Sequence, residues 1–168
     1  MERRSQYGGR EFQRRDGYQR PKEQKDEWFE HYRKKLESTD FTNADESEYL
    51  PTNGLIDRMA KAFNDNYRQP NNLKSTQIRN IYDSFLKIKS SLDGKKDMKS
   101  CKVMLNQIYP QIAYAKGRGL VPATFHSFVD ILLKKSVGKD GNVDPISFGT
   151  SFNMYQAFIA YFKFHGGK

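Results

Sequence analysis

The chain has 168 residues, a formal charge of +9 and 36% hydrophobic residues, which suits one modest core with a polar segment outside it. A single cysteine, Cys101, excludes an internal disulfide, and the three histidines supply no zinc-ligand set; a reducing, cytoplasmic setting with no metal or cofactor is expected. The most apolar window, 146–164, carries Ser147, Asn153, Gln156 and Lys163 and is too polar for a membrane span.

Residues 1–25 mix Arg, Gln, Gly and Tyr with almost no aliphatic side chains and cannot bury enough surface to offset the entropy of ordering, so a disordered basic arm is expected. It lacks the apolar run of a secretory signal, and Glu2, Glu11 and Asp16 argue against a transit peptide. Its arginine–glycine–tyrosine pieces suit either an accessory RNA contact or a plain linker.

Residues 26–49 form a second region. Trp28, Phe29, Tyr32 and Leu36 recur at helical spacing, with acids early and Arg33, Lys34 and Lys35 late, which predicts an amphipathic helix from Asp26 to about Glu37. Its aromatic face needs cover, and docking on its own domain is expected. A polar stretch, 38–47, follows.

Residues 50–168 read as a helical core. Leu55, Ile56, Met59, Phe63 and Tyr67 make one apolar stripe closed by Pro70. Ser75 is the expected N-cap of a helix with Ile78, Ile81, Tyr82, Phe85 and Leu92 inward, on which Arg79 flanks the stripe and Lys87 points away. After a lysine-rich turn come Met98, Cys101, Met104, Leu105 and Ile108, and Pro110 predicts a break or a fresh start. Lys116-Gly117-Arg118-Gly119 ends that piece with two cations at its negative pole.

Pro122 is placed for N1 of the next helix, with Phe125, Phe128, Val129, Leu132 and Leu133 inward and Lys134 and Lys135 at its end. Asp144-Pro145 caps a last helix, closed by Gly166-Gly167 and apolar nearly all round, with Lys163 its one formal charge. Such a helix must lie centrally or be shared with another subunit. The fold class predicted is therefore all-α, a compact bundle of about five to six helices.

Chemistry-bearing motifs are few. Asp140-Gly141-Asn142-Val143-Asp144 imitates the opening of a calcium loop, but Pro145 stands at the glycine position and Ser151 at the glutamate position. The carboxylates of 26–48 fall on a solvated helix face and a polar linker, and no glycine-rich run has phosphate-cradle spacing. His31, His126 and His165 are too scattered to define a catalytic pair, although an acid and a base of ribonuclease type can assemble in space.

Charge carries more information. Residues 1–25 hold eight Lys/Arg against four Asp/Glu, 26–50 hold three against eight, and 51–168 hold 18 against eight. The basic excess thus belongs to the core, and a partner with regularly spaced negative charge is implied. Arg79, Lys87, Lys116, Arg118, Lys134, Lys135 and Lys163 fall on different helices, where one face can align several of them with successive phosphates. Tyr114, Tyr155 and Tyr161 are candidate stacking surfaces, although aromatics at helical spacing more often belong to the core.

The order of three segments is also informative: LKSTQIRNIYDSF at 73–85, IYPQIAYAKGRG at 108–119 and FNMYQAFIAYFKFHGG at 152–167. Over about 50–168 they resemble the small subunit of type III-A CRISPR interference (Csm) complexes, through Ser75 to Arg79, Ile112 to Arg118 and Ala160 to Lys163. The resemblance implies a non-catalytic helical subunit, present in several copies along the guide RNA–target RNA duplex in antiviral defence, with self-association expected. The partners it implies are CRISPR RNA, target RNA, the repeated backbone subunit and the large polymerase-like subunit. Carried over residue by residue, Arg79, Arg118 and Lys163 are its phosphate contacts. The alternatives left by the residues themselves are a small ribonuclease using His126 or His165, and a helical scaffold without RNA contact.

Overall fold

The apolar spacing of the first helix and its early acids give α1, Glu27–Ser38, braced on its outer face by Arg33 bridging Glu30 and Glu37. The computed structural model describes residues 27–66, 73–94 and 97–167. The arm expected over 1–25 lies outside the described residues, as do the readings at Asp26, Tyr67, Pro70, Lys95 and Lys96. The aromatic face of α1 is covered at home: Trp28 meets Phe63 edge-on at 5.0 Å, and Phe29 and Leu36 are buried.

The stretch read as a polar linker is held to the bundle. Phe41 and Tyr49 are buried, and the Tyr49 hydroxyl lies 2.9 Å from that of Thr39. Asp45 caps a single turn, α2, Glu46–Tyr49, by accepting from the Ser47 N–H. This turn brings the helices among the described residues to seven, against the five to six expected.

α3, Leu55–Asn66, and α4, Ser75–Asp93, follow the predicted stripes. Ser75 is the first helical residue of α4, and Lys74, in extended conformation, is its N-cap, one position earlier than expected. α5, Met98–Gly117, corrects the expected interruption at Pro110, because the helix runs through it unbroken. Proline removes the hydrogen bond to the carbonyl four residues back. Here both Pro110 and Asn106 are exposed, so the lost hydrogen bond falls on the solvent side of the helix, where its cost is smallest.

α6, Ala123–Lys135, has Pro122 as its N-cap, again one position from the expectation. An isolated antiparallel bridge, Val137 to Val143, closes the connection to α7, Pro145–Phe164. There Asp144 accepts from the Ser147 N–H at 2.7 Å, so the acid serves as a helix cap.

α7 is central, lying against α3, α4 and α6. Its inward rings build an aromatic core: Tyr155 stacks on Phe85 at 5.1 Å, and Phe158 sits 5.3 Å from Phe63 and 5.0 Å from Phe128. Burial pushes the Tyr155 phenol well up, and its hydroxyl donates to the Ile78 carbonyl at 2.9 Å. Ser136 and Ser151 join hydroxyls at 2.9 Å where α6 and α7 come together.

α5 ends by a left-handed turn. Gly119 has φ +68°, its N–H donates to the Lys116 carbonyl, and the Leu120 N–H donates to that of Ala115. Gly117 is still helical, and a side chain there would meet open space. Gly119→Ala is therefore expected to destabilise by about 1–2 kcal/mol, and Gly117→Ala to stabilise by about 0.5–1 kcal/mol. Urea unfolding of the two variants checks the opposite signs.

Candidate nucleic-acid interface

Side-chain contacts fix how the helices are aligned. Ser84 on α4 donates to the Gln111 side chain on α5 at 3.0 Å, and Ser91 lies 4.0 Å from the Met104 sulfur. Both contacts belong to one antiparallel register, which puts Arg79 level with Lys116, and Gln77 with Arg118. The α4–α7 contacts, Ile78 with Tyr155, Tyr82 with Phe152 and Phe85 with Phe148, are antiparallel too. The start of α4, the end of α5 and the end of α7 consequently share one end of the bundle, and α6 begins there after the short 118–122 turn.

Four of the seven candidate cations gather at this end. Arg79 and Lys116 are exposed and make no ion pair among the described residues. Arg118 is held upright: its guanidinium lies 5.4 Å from the Tyr114 ring centre and donates to the Tyr114 hydroxyl at 3.0 Å. Lys163 donates to the Gly167 carbonyl at 3.2 Å and is otherwise exposed. Helix C-termini favour cations, and three of these four positions stand on such ends: Lys116 and Arg118 on α5 and Lys163 on α7.

The other three lie elsewhere. Lys134 and Lys135 are at the far end of α6, beside the end of α1. Lys134 pairs with Asp130 at 2.7 Å, and that carboxylate raises its pKa. Lys135 donates to the carbonyls of Glu37 (2.5 Å) and Thr39 (2.8 Å), with Phe41 beneath it, so its ammonium fastens the chain after α1. Lys87 is exposed midway along α4 and lines an open groove of about 510 Å³ between α4 and α5.

The histidines take different places. His126 is half-buried on α6, and its pKa is lowered by burial and by Lys116, with Lys134 adding to the effect and Asp130 opposing it. His165 contacts the buried Asp57 carboxylate at 2.5 Å, tying the end of α7 to α3. Asp57 also accepts from the Asn53 N–H at 2.7 Å, steadying a turn in which Asn53 has φ +65°.

Burial pushes the Asp57 carboxyl up, but the Asn53 amide, the His165 ring and Lys61 together outweigh it and leave the pKa below its ordinary value. A carboxylate held this way stabilises the fold above the unfolded value of about 3.9, and that contribution is lost as pH falls through the lower folded value. Asp57→Ala strands the Asn53 N–H and the His165 ring, so a loss of about 1–3 kcal/mol at pH 7 is expected. Thermal unfolding of the variant should also be less sensitive to acid below pH 4 than that of the parent.

The candidate stacking tyrosines separate cleanly. Tyr155 is fully buried, and Tyr161 is half-buried and donates to the Leu50 carbonyl at 2.7 Å, while Tyr114 is 64% exposed. All three stand at helical spacing in the sequence. What distinguishes Tyr114 is Arg118 four residues on, one helical turn away in the same exposed segment. The 140–144 loop shows an Asp140–Asn142 turn, and no group of three or more His, Cys, Asp or Glu suited to a metal lies among the described residues.

The described residues form a small all-α bundle with an aromatic core, a central last helix and cations collected at one end. The chain belongs to the Csm2 Type III-A family, whose sequence model matches residues 51–168. It is accordingly a small subunit of a type III-A Csm complex, a multi-subunit effector. No curated protein and no solved structure matches it. No helix among the described residues is long and apolar enough to cross a membrane.

Proposed function

We propose that this subunit is a non-catalytic RNA-binding component of a cytoplasmic type III-A CRISPR effector in antiviral defence, and that it packs along the guide RNA–target RNA duplex. The observation that carries the reading is the gathering of Arg79, Lys116, Arg118 and Lys163 at one end of the bundle, contributed by three helices. Cations spread over several rigid elements can meet successive phosphates, and contacts to phosphate carry no sequence information. Sequence selection then rests with base pairing between guide and target. The backbone and large polymerase-like subunits are the protein partners in this reading, and copies of the chain associate along the RNA.

Lys87, Lys134 and Lys135 take lesser parts in this scheme. Lys134 has Asp130 beside it, and Lys135 is committed to two main-chain carbonyls. The engagement of His165 with Asp57 favours a structural use of that histidine over ribonuclease chemistry.

The test is binding of single-stranded and duplex RNA to purified protein over a range of salt concentrations. Affinity that falls steeply with salt and is indifferent to sequence is expected, with the labelled RNA left intact. Failure to bind at any salt would contradict the reading. Cleavage abolished by His126→Ala would overturn its non-catalytic part.

A further inference from the structure

The groove between α4 and α5 differs in chemistry from the cationic end that it adjoins. Its walls carry the carboxamides of Gln77, Asn80 and Gln111, the Ser84 hydroxyl, and one carboxylate and one ammonium, Asp83 and Lys87, whose charges cancel. Its floor is apolar, from Ile81, Ile112 and Val121. At about 510 Å³ it falls within the ~300–1,000 Å³ range of ligand clefts.

A phosphate is not what such walls suit. Carboxamides offer a donor and an acceptor side by side, and carboxylates accept from exocyclic amines; these are the groups that match base edges. Phosphate oxygens are better served by Arg79 and Lys116, exposed cations at the same end of the bundle that do not themselves line the groove.

Tyr114 stands in the wall of the same groove. A tyrosine 64% exposed on a rigid helix leaves a large π-face in water, and the Arg118 guanidinium at 5.4 Å with its 3.0 Å hydrogen bond fixes the ring's orientation. An exposed aromatic braced by arginine beside hydrogen-bonding groups is the arrangement that receives an unstacked base.

We infer that the α4–α5 groove is a nucleobase site: an unpaired base of single-stranded RNA stacks on Tyr114 and turns its edge toward Gln77, Asn80 and Gln111, while Arg79, Lys116 and Arg118 hold the flanking phosphates. The site rests on the proposal that this end of the bundle binds RNA, and adds a base contact to a backbone contact. Stacking tolerates every base, so the site confers a preference for unpaired over paired RNA and little choice of sequence.

The experiment compares binding of oligoadenylate with that of an abasic ribose-phosphate oligomer of the same length, using the full chain. The parent should prefer oligoadenylate by about five- to a hundredfold, the range measured for loss of one base–aromatic stack. Tyr114→Ala should abolish this preference, and Tyr114→Phe and Tyr114→Trp should retain it. Circular dichroism and thermal unfolding of the variants verify that each is folded.

Equal affinity of the parent for the two oligomers, or a preference that survives Tyr114→Ala, would overturn the base site and leave backbone binding standing. Absence of binding to either oligomer at any salt would overturn both.

Discussion

Phe158→Ala is expected to cost about 3–5 kcal/mol, the range for removing a buried aromatic ring. The residue has no exposed surface and sits among the rings of Phe63, Phe125, Phe128 and Phe162, at centroid distances of 5.3, 5.9, 5.0 and 5.8 Å. These neighbours come from α3, α6 and α7, so the cavity would open where three helices meet and no single one can move to close it. Against a typical domain stability of about 5–15 kcal/mol, the loss removes a large fraction of the total. Urea unfolding should show a lower midpoint at unchanged slope. Phe158→Leu, which keeps most of the volume, should cost roughly 1–2 kcal/mol.

The second large effect concerns binding. Arg79→Ala and Arg118→Ala each remove a charged donor from the cationic end, and hydrogen bonds to charged groups contribute about 1.5–3 kcal/mol, so affinity for RNA should fall about tenfold or more for each. Both side chains are solvent-facing, and neither pairs with a carboxylate among the described residues. Their removal should therefore leave the folded state in place. The loss should be the same for RNAs of different sequence and should shrink as salt rises, because the parent itself loses its advantage there. Lys135→Ala provides a contrast. That ammonium holds the carbonyls of Glu37 and Thr39, so its removal should lower the unfolding temperature more than it lowers RNA affinity.

Much of this architecture is legible from apolar spacing. The stripes of α3, α4, α6 and α7 predict their helices closely; the near absence of charge in α7 leaves a central place or a shared interface open, and the contacts with α3, α4 and α6 show the central place. Pro110 misleads, because sequence alone does not tell on which side of a helix the lost hydrogen bond falls; here it falls on the exposed side. Phe41 and Tyr49 were hidden for a different reason. One aromatic amid polar residues makes no periodic signal, and their burial depends on where the chain returns in space.

The cations show the same limit. Sequence supplies their helices and the capping glycines, but only the antiparallel register brings Arg79 level with Lys116. Lys134 and Lys135 are adjacent in sequence and indistinguishable by composition, yet one meets a carboxylate and the other two carbonyls. Tyr114 is likewise picked out from Tyr155 and Tyr161 by exposure, a property that helical spacing does not encode.

The measurement that tests the cationic end most directly is the slope of log affinity against log salt for the parent and the double variant Arg79→Ala/Arg118→Ala, on two RNAs of unrelated sequence. A slope shallower by about two in the double variant, equal for the two RNAs, is the result expected when two phosphate contacts are lost. An unchanged slope, or a loss confined to one sequence, would contradict a phosphate-gripping role for this end of the bundle.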